Sequence, residues 1–211
     1  LELFKSDYIA LRGLALSTQE NYEDAVLSFT RSLGDLDITT LTPQDILRWR
    51  RLIEKRNKPG TVRTQLSKLK NILEFTNKKG VTTFDTSEIH LPKLPQSLPK
   101  FLYEEEIERL VEATPSQRDK AMILLLFTSG IRAGELIRLT RSDIDGNALY
   151  IRKGKGNTSR VAFMSPRTRL YLDRYLATHT RTVLFPGYNG ALDTSSVTKI
   201  LKKIAKEAGI H

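Results

Sequence analysis

An arginine and a glutamate stand three residues apart in the run Thr128-Ser129-Gly130-Ile131-Arg132-Ala133-Gly134-Glu135-Leu136. An apolar stretch, Ala121 to Phe127, delivers the chain to Gly130, a residue free to turn sharply. Arg132 then falls at a helix start, and Glu135 lies one turn on, on the same face. A carboxylate in that place can fix the direction of the guanidinium. A guanidinium so held suits a phosphate, because its planar fork of donors matches two phosphate oxygens. Without context the same pair is also an ordinary helix-capping Arg–Glu contact, and the motif alone leaves both readings open.

A second candidate is Lys155, in Gly154-Lys155-Gly156-Asn157. The β-branched and aromatic stretches Ala148 to Lys153 and Arg160 to Met164 flank it and predict a hairpin with this tetrapeptide as its turn. A lysine between two glycines has no bulky neighbour. It can reach into a groove and give a proton to a leaving oxygen. A turn lysine is equally at home as a solvated surface charge. No Asp, Glu or His cluster has metal-ligand spacing, and the chain has no cysteine, so no metal, cofactor, thiolate site or disulfide is expected.

The elements that position these residues fall into two groups. Helices are predicted over Glu2 to Gly13, from the Ser17-Thr18-Gln19-Glu20 capping box to Gly34, from Thr42-Pro43 to the break at Pro59-Gly60, and from Thr61 to Gly80. On the last of these, Val62, Leu66, Leu69 and Leu73 face inward and Arg63, Lys68 and Lys70 outward. The proline-rich stretch 90–100, HLPKLPQSLPK, is read as an extended linker. It separates a helical domain, residues 1–89, from a second domain, 101–211. There, helices are expected at Glu104 to Ala113, Arg118 to Phe127 and Ile131 to Leu139, then the hairpin, then helices at Pro166 to Thr178 and Ser195 to Ala208. The fold class is mainly α with a small antiparallel β-sheet.

The net charge of +10 and pI of about 9.8 favour a polyanionic partner. From Arg48 to Lys79 there are eleven Lys or Arg against Glu54 and Glu74. From Gly146 to His211 there are twelve against Asp173, Asp193 and Glu207. Phe101 to Asp145 between them is net negative. Two basic surfaces touching one polyanion are the expectation. No apolar run has membrane-spanning length and no signal peptide is recognised, so a cytoplasmic protein with no membrane partner is expected.

Taken together, Thr128 to Leu136, the lead-in Arg118-Asp119-Lys120-Ala121 and the Gly-Lys-Gly-Asn hairpin about twenty residues on resemble the tyrosine recombinase family, most closely its Xer type. Ser17 to Tyr22 and Pro59 to Phe75 are similar to that family's helical, SAM-like core-binding domain. The resemblance implies a two-domain, C-shaped clamp around double-stranded DNA, working as a tetramer on two duplexes and as a dimer or monomer off DNA. It implies metal-free strand cleavage and exchange through a 3′-phosphotyrosyl intermediate, in chromosome dimer resolution or in an element-borne resolvase. Carried over residue by residue, Arg132 neutralises the pentavalent phosphate, Lys155 protonates the leaving 5′-oxygen and Glu135 orients Arg132. Arg63, Lys68, Lys70, Lys153 and Arg160 are the expected DNA contacts.

The family pattern also needs a His-x-x-Arg box and a nucleophilic tyrosine. Neither His90, His179 nor His211 is assigned to the box, and none of the seven tyrosines comes after one. Tyr171 and Tyr175, four apart, read as a packed stripe, and His179 as a surface residue. The catalytic domain is therefore expected to be incomplete at its C-terminus, with a further tyrosine-bearing segment in the whole enzyme; the chain as given should bind DNA and not cut it. The alternatives are a catalytically inactive DNA-binding clamp or accessory protein and, more distantly, a type IB topoisomerase-like enzyme, which Thr128 to Leu136 fits less well.

Overall fold

The computed structural model describes residues 4–9, 12–34, 36–95, 98, 100–152, 158–187 and 190–210. The chain divides into two compact units, Leu1–Leu98 and Pro99–His211.

The first unit is helical: a π-helical turn, Phe4–Ile9, then α1 (Leu16–Leu33), α2 (Pro43–Glu54) and α3 (Pro59–Lys78). Thr42 caps α2. Its hydroxyl accepts the Asp45 N–H, and Asp45 accepts the Thr42 N–H at 3.0 Å in return, with Pro43 in the first turn. Trp49 is fully buried, its ring edge-on to Phe29 with centroids 5.2 Å apart. Ile46, Ile53, Val62, Leu66, Leu69 and Leu73 complete this core at helical spacing.

Three predicted boundaries move. The first helix, expected to run to Gly13, is π-helical at Phe4–Ile9, and Arg12 and Gly13 lie in a turn outside it. Helix α1 starts at Leu16 with Ala15 as N-cap, so Ser17 lies inside the first turn and is not the cap. Pro59 and Gly60 do not break a helix but form the first turn of α3, because proline loses nothing where the N–H has no intrahelical partner. The start of the expected linker is bonded down: Arg50 Nη1 donates to the His90 carbonyl at 3.0 Å and Arg63 Nη1 to that of Pro92 at 2.7 Å.

In the second unit, α4 (Glu104–Ala113) and α5 (Gln117–Ser129) precede α6 (Ala133–Leu136), which is one turn long rather than running on to Leu139. Strands β1 (Ile144–Asp145), β2 (Ala148–Ile151) and β3 (Arg160–Phe163) form an antiparallel sheet in that order, one strand more than the predicted hairpin. Ile151 pairs with Arg160 and Ala148 with Phe163. Then come α7 (Pro166–Leu176), the short pair β4 (Pro186–Gly187) and β5 (Gly190–Ala191), and α8 (Thr194–Glu207).

The sheet's inner face (Leu149, Ile151, Ala162) packs with Met122, Leu125, Leu136, Leu172 and Phe185 into one core. A second cluster joins α4, α5 and α8 through Ile107, Leu110, Ile123, Leu124 and Ile204. No described helix is long and apolar enough to cross a membrane.

Candidate phosphate-binding site

Helix α5 is buried through Ala121, Met122, Ile123, Leu124 and Leu125, so its end point is rigidly set. Thr128 adds a polar anchor: its hydroxyl donates to the Leu124 carbonyl at 2.8 Å and lies 3.0 Å from that of Thr168, which is fully buried at the start of α7. The chain then reverses at Gly130, whose φ of +61° is the left-handed conformation that favours glycine at a helix C-cap. Two residues later Arg132 is the N-cap of α6.

Glu135 organises this corner of the unit. Its side chain is only 2% exposed. One carboxylate oxygen, Oε2, accepts the backbone N–H of Arg132 at 2.8 Å; the other, Oε1, accepts Arg132 Nη1 at 3.0 Å. Arg160, the first residue of β3, adds a bidentate pair, Nη1 to Oε1 at 3.0 Å and Nη2 to Oε2 at 2.9 Å. One buried carboxylate thus holds two guanidiniums and caps a helix. The two arginines are held differently. Both terminal nitrogens of Arg160 are on Glu135, whereas Arg132 gives it one and keeps a side chain 63% exposed. A guanidinium has five N–H donors, so the outward part of Arg132 is available to an anion.

Burial alone would raise the Glu135 pKa. The Arg132 N–H, the Arg132 guanidinium and the Arg160 charge outweigh it and hold the carboxyl below its ordinary value, so it is ionised at neutral pH. Asp143 makes a smaller copy of this node. It is buried, accepts the Thr140 N–H at 2.9 Å and its hydroxyl at 2.7 Å, and takes Arg152 Nε at 2.7 Å. Arg152 and Arg160 flank the connection between β2 and β3, so both ends of that connection are tied to buried carboxylates.

Of the residues singled out in the sequence, Arg132 and Glu135 are in direct contact. Lys155 and Lys153 lie outside the described residues. Arg160 stands on Glu135, a link across 25 residues that no local pattern announces. In the helical unit, Lys68 Nζ donates to Asn21 Oδ1 at 3.2 Å across α1 and α3, and burial lowers its pKa against the pull of Asp24. Arg63 holds the Pro92 carbonyl, and Lys70 is half-buried. Tyr175 is buried, stacked on Phe185 with centroids 5.5 Å apart. His179 is half-buried, not a plain surface residue: its ring packs on Tyr175 and its Nδ1 accepts the Arg181 N–H. Among the described residues no group of three His, Cys, Asp or Glu could hold a metal ion.

A Glu135→Gln variant keeps the shape and removes the charge. Uncompensated charge at a buried pair is strongly destabilising, and both arginines can partly rehydrate, so a loss of about 2 kcal/mol at pH 7 is expected. Glu135 has a folded pKa below the ordinary 4.5. Its contribution is therefore complete above that value and is lost as pH falls through the folded pKa. Urea unfolding monitored by circular dichroism from neutral to acid pH should show the wild-type and variant curves converging below pH 4.5. Equal stability at neutral pH would remove Glu135 as the organising group.

Comparison with known proteins places this geometry. Tyrosine recombinase XerD of Oceanobacillus iheyensis is 28% identical over 220 residues, spanning 94% of this chain and 74% of the relative. The crystal structure of XerA recombinase is 25% identical with a TM-score of 0.51, covering 97% of this chain and 75% of that one. A lambda integrase tetramer bound to a Holliday junction shares the fold, with a TM-score of 0.81 at 18% identity over 97% of this chain and 64% of that one. The model of the phage integrase family matches residues 100–211, and that of its N-terminal SAM-like domain matches residues 1–80. With both halves matched in order, and with relatives among the Xer-type tyrosine recombinases, the chain belongs to the phage integrase family.

Proposed function

We propose that this chain is the DNA-holding part of a site-specific recombinase that cuts and rejoins duplex DNA through a 3′-phosphotyrosyl intermediate. The observation that carries this reading is the outward-facing guanidinium of Arg132, aimed by a buried carboxylate in a chain of this family. In the proposed reaction a tyrosine oxygen attacks the scissile phosphorus and the bond to the 5′-oxygen breaks. Arg132 meets the charge that builds on the non-bridging oxygens, where a fixed donor contributes most. Lys155 gives its proton to the departing 5′-oxygen. The 5′-hydroxyl of a second strand then reverses the step, so the bond energy is kept in the phosphotyrosyl link and no nucleotide triphosphate is consumed.

The partner is double-stranded DNA. The lambda integrase relative was solved as a tetramer on a Holliday junction, which supports a tetramer on two duplexes here. A role in resolving chromosome dimers, in the cytoplasm, is part of the proposal for a chain whose relatives are named Xer-type tyrosine recombinases. Residues 1–89 and 101–211 are proposed as core-binding and catalytic domains that clamp the duplex, with Lys68 and Lys70 on the helical side. Since none of the tyrosines comes after a His-x-x-Arg sequence, the 211 residues by themselves are proposed to bind DNA and not to cleave it.

Two measurements test these readings. In the recombination reaction of the enzyme, Arg132→Ala should lower the rate by a factor on the order of 10² to 10³, the usual cost of one fixed donor to a developing oxyanion. Normal recombination by that variant would sink the assignment. For the clamp, Lys68→Glu with Lys70→Glu should weaken binding to duplexes of every sequence and flatten its dependence on salt. Unchanged binding by a folded variant takes that surface out of the account.

A further inference from the structure

Helices α5 and α7 pack on each other through an apolar core in which Met122, Leu125 and Leu172 are fully buried. Thr168 on α7 is buried as deeply as they are. A hydroxyl in such a place costs stability unless it is hydrogen-bonded. That of Thr168 lies 3.0 Å from the hydroxyl of Thr128, at the end of α5, and 3.0 Å from that of Ser165, the N-cap of α7. Each hydroxyl has one proton to give, and this fixes the direction of the chain of bonds. Thr128 donates to the Leu124 carbonyl at 2.8 Å, so the proton between the two threonines comes from Thr168. The proton between Thr168 and Ser165 then comes from Ser165, whose oxygen also accepts the Thr168 N–H at 3.1 Å. The three hydroxyls form a relay of one polarity, Ser165 to Thr168 to Thr128, that ends on a helix carbonyl. A buried polar chain with every member satisfied rigidifies the core around it.

The relay joins the same two segments that bring the cations to Glu135. Thr128 lies four residues before Arg132, across the left-handed turn at Gly130. Ser165 lies five residues after Arg160, where the chain leaves β3 and enters α7. Glu135 joins these segments again through its bonds to Arg132 and Arg160. The loop of structure is thus closed at one end by a carboxylate and at the other by hydroxyls. Apolar packing between two helices is non-directional, whereas a hydrogen bond sets both a distance and an angle. Without the hydroxyl link the end of α5 shifts on α7, and the carboxylate end takes up the shift. Arg160 holds Glu135 with two guanidinium nitrogens, and Arg132 with one from a side chain 63% exposed. Arg132 is therefore the partner that gives.

We propose that Thr168 is a positioning residue for the strand-cleavage reaction, its buried hydroxyl fixing the end of α5 and through it the aim of the Arg132 guanidinium. The inference rests on the reading of Arg132 as the group that meets the scissile phosphate and adds a residue to that machinery. Thr168 is fully buried and reaches no substrate; it acts through Thr128 and the turn at Gly130. Its hydroxyl therefore matters for the rate of the chemical step and not for the hold on the duplex.

The test compares Thr168→Val, which keeps the shape and removes the hydroxyl, with Thr168→Ser, which keeps the hydroxyl and removes a methyl. In the 211-residue chain the readout is the guanidinium 15N–1H spectrum. Thr168→Val should turn the Arg132 signals from hindered to rotationally averaged and leave those of Arg160 hindered; Thr168→Ser should leave both hindered. In single-turnover cleavage by the enzyme, a displacement of a fraction of an ångström should make Thr168→Val slower by about tenfold. Its Kd for the duplex should be unchanged, and Thr168→Ser should restore the rate. A merely structural role would instead lower the melting temperature of both variants with no such split between rate and binding. If Thr168→Val does not fold, Thr128→Val, at a half-buried position, breaks the same link and carries the same expectation. Hindered Arg132 signals in a folded valine variant, or a Thr168→Ser enzyme as slow as Thr168→Val, overturn the inference. A wild-type enzyme that cleaves no duplex is a different result: it overturns the proposed function and leaves the guanidinium comparison to decide the role of Thr168.

Discussion

The second unit turns on one ionised carboxylate placed where water does not reach. A buried charge is tolerated only if its hydrogen-bonding positions are filled and its charge is countered. Glu135 meets both conditions with a helix-capping N–H and two guanidiniums. The donors come from two parts of the architecture. The N–H and the Arg132 side chain arrive through the left-handed turn at Gly130, itself fixed by the buried helix α5. Arg160 arrives on β3 through its register with β2. Shifting any one of these elements would leave charge unmatched in the interior. The site geometry and the fold are therefore the same set of constraints, and the exposed part of Arg132 is their product.

Charge is distributed on the same plan across the unit. Buried Asp143 holds Arg152 at the end of β2 and buried Glu135 holds Arg160 at the start of β3, so both strand ends are pinned through an arginine. Helix α4 concentrates acidic residues, α8 concentrates lysines, and Arg167 ties α4 to α7 through Glu108. In the helical unit Arg50 and Arg63 do comparable mechanical work, holding the backbone of the proline-rich stretch. Arginine's fork lets it serve carbonyls and carboxylates inside the protein, and the exposed lysines are left to face a polyanion.

What was legible in the sequence was local. Thr42-Pro43 announces a helix start because its signal lies within one turn, and the structure forms it, with Asp45 completing the cap. The contact of Arg132 with Glu135 was legible for the same reason. Ser17 misled because a capping box is a pattern of types: the helix begins earlier, at Leu16, and nothing in the local spacing shows that. Pro59-Gly60 reads as a break, yet a proline is equally suited to a first turn, and the burial of Val62 and Leu66 decides between the two. The bond from Arg160 to Glu135 was not legible, because strand register and a glycine turn together create it across 25 residues. The short strand β1 escaped notice because two residues carry no periodicity.

The central claim is that Glu135 aims Arg132 outward at a phosphate while Arg160 stays on the carboxylate. Guanidinium 15N–1H resonances of Arg132 and Arg160, recorded with and without duplex DNA, test it most directly. The account predicts hindered rotation for both side chains in the free protein, and a shift on duplex binding for Arg132 with Arg160 nearly unmoved. Rotationally averaged Arg132 signals in the free protein, or no shift when other resonances show the duplex bound, would contradict it.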